Sequence, residues 1–119
     1  MLRGADTAFE QGVGQNKEIF YAKDGRSGWA NDLTDLYHPA LDRLSDYARL
    51  LMNRNALQVF GRDGDSPVDF LVCWTKDGKK QGGTRQAIVL AESAGIPVWN
   101  LGKDGELDRF REFFFRLNF

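Results

Sequence analysis

Three small residues, Gly82, Gly83 and Thr84, stand where a strand-like segment gives way to a helix-like segment. Glycine has no side chain, so a ligand can touch the backbone N–H groups beside it. The first N–H groups of a helix have no partner within the helix and carry partial positive charge, which favours a phosphate or another anion. We therefore treat residues 82–84 as candidate anion-binding residues.

Basic residues surround this loop and outnumber the single acid, Asp77. They are Lys76, Lys79, Lys80 and Arg85. The plainer alternative is that the glycines serve only a tight turn and that the lysines are solvated. Gly-Gly-Thr matches neither the phosphate-loop pattern G-x-x-x-x-G-K-[ST] nor the dinucleotide pattern G-x-G-x-x-G, so the spacing leaves both interpretations open.

A second glycine precedes another helix-like segment near the start of the chain. Residues 5–14 have the composition of a short helix, and Gly4 stands directly before it, with Asp6 in its first turn. Two helix openings at the same end of one sheet would face a common crevice. We therefore expect Gly4 and Asp6 to join residues 82–84 in one site.

Two segments rich in branched and aromatic residues, 68–75 and 96–102, flank the helix-like segment that follows the glycines. The order strand, helix, strand predicts parallel strands joined by a crossover helix. Ligands of open parallel sheets bind beyond the carboxyl ends of the strands. Trp74, Thr75 and Asn100 lie at those ends and are candidate ligand-binding residues.

The remaining segments complete an α/β layered domain with a mostly parallel sheet. The pattern predicts a helix over 5–14, a strand over 18–22, an exposed loop over 23–33, a helix from 34 to about 53 with Pro39 in its first turn, a helix over 84–94 with Ala87, Leu90, Ala91 and Ala94 on its packed face, and a last helix over 105–117.

The last helix carries one apolar stripe and an additional phenylalanine. The stripe consists of Leu107, Phe110, Phe114 and Leu117. Phe115 points away from it. This ring favours either a surface for self-association, hence a homo-oligomer, or packing against a neighbouring loop of the same chain.

Length and composition predict one domain over residues 1–119. Apolar residues make up 42% and charged residues 28% of the chain, values typical of soluble globular proteins. A net charge of −1 disfavours a protein that coats nucleic acid. Neither a secretory signal nor an apolar run long enough to span a membrane is found, which predicts a cytoplasmic protein.

Few residues offer reactive side chains. Cys73 lies in an apolar run and is expected to be a small buried hydrophobe. His38 precedes Pro39, which favours a cap or surface position over a general base. A single histidine and a single cysteine make a zinc site improbable, and we predict no metal, no cofactor and no catalytic residue.

Several stretches together resemble the single-domain phage and bacterial members of the SLOG superfamily, which are related to the DNA-processing protein A fold. They are GAD with AFE (4–10), KEIFYA (17–22), RNALQVFG (54–61) and WTKDGKKQGGTRQAIVLAESAGIPVWNL (74–101). The resemblance implies a Rossmann-like three-layer sandwich whose glycine loops bind a nucleotide or a nucleotide-derived ligand.

Carried over by position, the resemblance implies a ligand-binding set from two loops. The set is Gly4, Ala5 and Asp6, with Trp74, Thr75, Gly82, Gly83 and Thr84. Arg54 and Asn55 are further pocket candidates, although a capped helix end is the alternative for this pair. The chain departs from its relatives because no strand precedes the first loop, so either the chain is truncated or a partner chain supplies that edge.

The resemblance leaves three functions open. The favoured one is a binding module, a sensor or sponge for a signalling nucleotide. A phosphoribohydrolase of the "lonely guy" type is the second, but its pattern P-G-G-x-G-T-x-x-E is not matched, since no acid follows Thr84 until Glu92. The third is single-stranded DNA binding, for which the tryptophans and the basic loop provide stacking and charge.

Overall fold

The computed structural model describes residues 17–117, which form a mixed α/β arrangement with four α-helices and a two-stranded parallel sheet. The α-helices are α1 (Gly28–Tyr37), α2 (Asp46–Phe60), α3 (Thr84–Ser93) and α4 (Glu106–Leu117); the strands are β1 (Leu71–Cys73) and β2 (Val98–Asn100); short 3-10 helices span Ala22–Gly25, Leu41–Arg43 and Lys76–Gly78. The predicted helix over 5–14, with Gly4, Ala5 and Asp6, lies outside the described residues.

The two strands pair in parallel, as predicted, with α3 as the crossover helix. The register places Leu71 opposite Val98 and Val72 opposite Trp99. Because side chains alternate along a strand, Leu71 and Val98 pack against the hydrophobic core on one face. Trp99 contacts α4 on the other face, with its ring centroid 4.8 Å from that of Phe113. Helices therefore cover both faces of the sheet.

The core lies between the sheet and the first three α-helices. Its fully buried members include Ala30 of α1, Ala56 and Val59 of α2, and Leu90 and Ala91 of α3. The alanines among them let the helices approach closely. The prediction that α3 packs through Ala87, Leu90 and Ala91 is confirmed, whereas Ala94 is exposed because α3 ends at Ser93.

A buried polar network joins the three helices of this layer. Thr34 donates its hydroxyl to Asn53 Oδ1 at 2.6 Å, and Asn53 Nδ2 donates to the Gly25 carbonyl at 3.0 Å. Gln86 Nε2 lies 3.5 Å from Thr34 Oγ1. Buried polar groups are costly when unpaired, so this network specifies how the three helices fit together.

Arg62 holds the segment before the first 3-10 helix against the end of α2. Its guanidinium lies 3.3 Å from a carboxylate oxygen of Glu18 and 3.2 Å from one of Asp24, and it stacks 4.7 Å from the centroid of the Phe20 ring. The Tyr21 backbone N–H and the Arg62 guanidinium hold the pKa of Asp24 below its usual value. Phe20 is thereby kept in the core.

The predictions for residues 18–33 are wrong. No strand forms over 18–22; the chain instead enters a 3-10 helix at Ala22. The predicted exposed loop over 23–33 contains the start of α1, in which Ala30 is fully buried. The turn-forming residues of this stretch have only a weak local preference, and the tertiary packing of α1 on α2 overrides it.

The predicted helix from 34 to about 53 is two helices. His38 adopts an extended conformation because a residue before proline disfavours the helical region, so α1 ends at Tyr37 rather than beginning near Pro39. A new helix, α2, starts at Asp46, where the Ser45 hydroxyl accepts a hydrogen bond from the Ala48 N–H. It continues to Phe60, beyond the predicted end.

The last helix is confirmed, but its packed face differs from the predicted stripe. Phe110 and Phe114 of the stripe pack against Phe70, the residue before β1, and Phe113, which is outside the stripe, packs against Trp99 of β2. Much of Leu107, Phe114 and Leu117 is exposed, as is 65% of Phe115. Self-association through this surface stays a prediction. Within the described range, no helix combines the length and apolar character needed to cross a membrane.

Candidate functional site

A cavity of about 320 Å³ lies between α2, the strand β1 and the N-terminus of α3. We call it the α3 cavity. Its lining residues are Arg54, Asn55, Gln58, Leu71, Val72, Cys73, Gly83, Thr84 and Ala87. The structure therefore brings together four predicted site residues from two distant segments: Arg54, Asn55, Gly83 and Thr84.

Asn55 fixes the glycine loop against α2. Its side chain is buried, and its Nδ2 donates a hydrogen bond to the Gly83 carbonyl at 2.9 Å. This bond orients the Gly83 peptide at the point where α3 begins. The amide N–H groups of the first turn of α3 are thereby held in place, which is what an anion site at a helix N-terminus requires.

Arg54 brings a positive charge to the same cavity. Its Nη2 lies 3.4 Å from Asn55 Oδ1, a long hydrogen bond, and its Nε is buried without a hydrogen-bond partner in the described part of the chain. A guanidinium is charged at all ordinary pH values. Arg54 therefore keeps donor capacity for a group that enters the α3 cavity.

The two adjacent glycines serve different purposes. Gly82 has a φ of +64°, a left-handed conformation that favours glycine. Gly83 has helical dihedral angles, and a Cβ added to it would make only an ordinary contact of 3.6 Å with Met52 Cε. The fold thus needs a glycine at position 82 but has room for a side chain at position 83, where the backbone is exposed.

Thr75 and Asn100 lock together the loops that follow the two strands. Asn100 Oδ1 accepts hydrogen bonds from the backbone N–H of Thr75 at 3.1 Å and of Gly102 at 3.0 Å. Its Nδ2 donates to Thr75 Oγ1 at 2.7 Å, and that hydroxyl donates to the Lys79 carbonyl. Both side chains are buried. Their contacts hold the two loops in place at the carboxyl ends of β1 and β2, so both residues have a positioning role.

Trp74 and Arg85 do not line the α3 cavity. Trp74 is 51% exposed at the carboxyl end of β1, and Arg85 lies on the other side of the glycine loop, where it lines a second cavity. Gln58 lines the α3 cavity and was not predicted. It stands one helical turn after Arg54, so an i, i+4 search from Arg54 finds it.

Cys73 is buried within the α3 cavity wall. Burial raises the pKa of its thiol to about 11, and Lys103 opposes this rise only partly. The thiolate is the reactive form of cysteine. The thiol is therefore protonated and unreactive at neutral pH, in agreement with its expected position as a small buried hydrophobe.

Because the Cys73 thiol is buried, the stability of the fold should fall as the pH rises through the alkaline range. The thiol has a pKa of about 11 in the fold against an ordinary value of 9.0. The protonated thiol therefore makes its full contribution to the free energy of unfolding below pH 9, and this contribution is lost as the pH rises toward 11. The free energy of unfolding of the wild type, relative to Cys73→Ala, should therefore fall by about 2 kcal/mol over this interval. Urea unfolding of both proteins at the two pH values measures this change; a constant difference contradicts it.

Comparison with known proteins adds no relative to this picture: no family model, no curated protein and no solved structure matches the chain. The resemblance to the SLOG superfamily accordingly stays a prediction from the sequence motifs.

Proposed function

We propose that the protein binds a nucleotide or a nucleotide-derived small molecule, whose anionic group sits in the α3 cavity at the N-terminus of α3. The architecture that supports this function is a reduced Rossmann-like sandwich, in which the β1–α3–β2 unit carries the site. Gly83 and Thr84 provide backbone N–H groups, and Arg54 provides charge.

The observation that carries the proposal is the glycine at position 83. Its dihedral angles and surroundings accept a Cβ, so neither backbone conformation nor packing requires a glycine at this helix N-cap. Capping disfavours alanine at an N-cap but accepts serine, threonine, asparagine and aspartate at least as well as glycine, so capping alone does not explain why position 83 has no side chain. A ligand that touches the exposed backbone at the helix entrance does explain it, because any side chain would stand between the ligand and the N–H groups.

The charge of the α3 cavity favours binding over hydrolysis. Among the described residues, its lining contains one arginine and no carboxylate. Cleavage of a glycosidic bond requires a positioned carboxylate, and Glu92 forms an ion pair with Lys80 at 2.6 Å on the far part of α3. The volume of about 320 Å³ suits a small molecule or part of one.

Gly83→Ala separates a binding role of this residue from a structural one. We expect the free energy of unfolding to change by less than about 1 kcal/mol. We expect the affinity for the best ligand among mono-, di- and cyclic nucleotides, measured by isothermal titration calorimetry, to fall at least about fivefold, because a new methyl group keeps the ligand from the backbone. Gly83→Asp adds a repelling charge and should weaken binding further.

Gly28→Ala is the matched control, since Gly28 also opens a helix and no atom lies within 4 Å of an added Cβ. It should leave both stability and binding unchanged. If no nucleotide binds the wild type, or if Gly83→Ala and Gly83→Asp bind as well as Gly28→Ala, the proposed site is wrong.

A further inference from the structure

A second cavity, also of about 320 Å³, lies on the opposite side of the glycine loop. We call it the His38 cavity; its lining includes His38, Pro39, Leu44, Met52, Gly83 and Gln86. Gly83 lines both cavities, so its exposed backbone is their common wall. A molecule bound in the α3 cavity can reach the His38 cavity by crossing a residue that has no side chain.

The apolar part of the His38 cavity suits a flat ring. Pro39, Leu44 and Met52 provide its hydrophobic surface. Small-ligand sites commonly combine such a surface with a few polar groups that fix the orientation of the ligand. Two side chains of the His38 cavity are able to serve as those polar groups.

Gln86 supplies an acceptor. Gln86 is only 1% exposed, and its Nε2 donates a long hydrogen bond of 3.5 Å to Thr34 Oγ1. Its Oε1 has no hydrogen-bond partner among the residues that the structure describes. Buried carbonyl oxygens in folded proteins almost always accept a hydrogen bond. An unfilled acceptor at a cavity wall is explained by a ligand that carries an N–H donor.

His38 supplies a donor. Its Nδ1 accepts a hydrogen bond from the Ala40 backbone N–H at 3.1 Å. In a neutral imidazole the other nitrogen, Nε2, then carries the proton and can donate it. Together, His38 and Gln86 offer one donor and one acceptor. The edge of a nucleobase complements this pair, whether it presents a ring nitrogen beside an amino group or a ring N–H beside a carbonyl.

We propose that the His38 cavity binds the ring of the ligand, and that this ring is a heteroaromatic base whose edge carries one hydrogen-bond donor and one acceptor, as in adenine or hypoxanthine. The phosphate of the ligand then lies in the α3 cavity, its base lies in the His38 cavity, and the part that joins them passes over Gly83. This inference rests on the proposed function, since it assigns the remainder of the same ligand.

Matched ligands test the inference directly by isothermal titration calorimetry. Adenosine monophosphate and inosine monophosphate both carry a base with one donor and one acceptor on its edge, and ribose 5-phosphate lacks the base. We expect both nucleotides to bind at least about tenfold more tightly than ribose 5-phosphate, because only they can fill the cavity and donate to the Gln86 acceptor.

Two substitutions locate this preference in the His38 cavity. Leu44→Trp fills the cavity from its partly exposed wall and should reduce the affinity for adenosine monophosphate to that for ribose 5-phosphate, while leaving the latter unchanged. Gln86→Met keeps the side-chain length and removes the acceptor, so it should weaken the binding of adenosine monophosphate while leaving that of ribose 5-phosphate unchanged. Circular dichroism and thermal melting establish that each variant folds.

The possible results separate the two proposals. If ribose 5-phosphate binds as tightly as adenosine monophosphate, or if folded Leu44→Trp binds adenosine monophosphate normally, the His38 cavity is not the base site, although the proposed anion site stands. If no phosphate ester binds the wild type, the anion site is wrong and the base site is wrong with it. If folded Gln86→Met binds adenosine monophosphate as tightly as the wild type, the assigned acceptor is wrong.

Discussion

Gly25→Ala is expected to destabilise the fold by at least about 3 kcal/mol, because the new Cβ would overlap the backbone of α2. An added Cβ would collide with the Leu50 carbonyl oxygen and lie 3.2 Å from Asn53 Cβ. Neither neighbour can yield cheaply, since one is helix backbone and the other donates to the Gly25 carbonyl. Urea unfolding monitored by circular dichroism measures the loss of stability. Failure of the variant to fold also agrees with this prediction.

Gly28→Ala again provides the control, because position 28 lies three residues further along and has open space around it. Its free energy of unfolding should stay within about 0.5 kcal/mol of the wild-type value. Equal stability of the two variants would show that the 3-10 helix Ala22–Gly25 does not rest against α2 as described.

Asn100→Ala is expected to cost about 3 to 5 kcal/mol, since it removes three hydrogen bonds at a buried position. The backbone N–H groups of Thr75 and Gly102 lose their acceptor, and the Thr75 hydroxyl loses its donor. Water cannot easily replace the side chain, because Asn100 is only 4% exposed. Thermal unfolding should show a midpoint lower by at least about 10 °C.

Asn100→Asp is the matched control for the hydrogen bonds that Asn100 makes with Thr75 and Gly102. A carboxylate keeps the shape and accepts hydrogen bonds from both N–H groups, which offsets part of the cost of burying its charge, so it should lose less stability than alanine. If alanine and aspartate are equally stable, the hydrogen bonds of Asn100 do not hold the two loops together.

The β1–α3–β2 unit was largely predictable from the sequence because its signals are local and agree with one another. Gly83 and Thr84 open the helix, and Gly95, with a φ of +72°, follows its end. The strand segments were recognised, but each was predicted too long, since only Leu71–Cys73 and Val98–Asn100 form paired ladders. Strand ends depend on the partner strand, which a local pattern does not contain.

The helices before this unit were predicted less well because their local signals conflict. The region around α1 contains Gly28, Asn31 and Asp32, which favour turns, yet Ala30 and Thr34 are fully buried at helical spacing. Their burial depends on α2 and α3, which lie far along the chain. Pro39 was interpreted as a helix start, whereas its effect on His38 ends α1 before it.

The candidate site was predicted in part for a similar reason. The helix entrance at Gly83 and Thr84 followed from spacing, and Arg54 and Asn55 followed from the family resemblance. The His38 cavity could not be predicted, since it forms only where α2, α3 and the chain around Pro39 meet. Cavities between distant segments carry no signal in the local sequence pattern.

The three tryptophans give each region of the fold its own optical reporter. Trp29 packs edge-on against Phe60 in the helical layer, Trp99 is enclosed by the rings of α4, and Trp74 is half exposed beside the loop that follows β1. Indole emission shifts with the polarity around the ring. Proteins that keep one tryptophan at a time would therefore show, without any attached dye, whether the helical layer melts together with the sheet or before it.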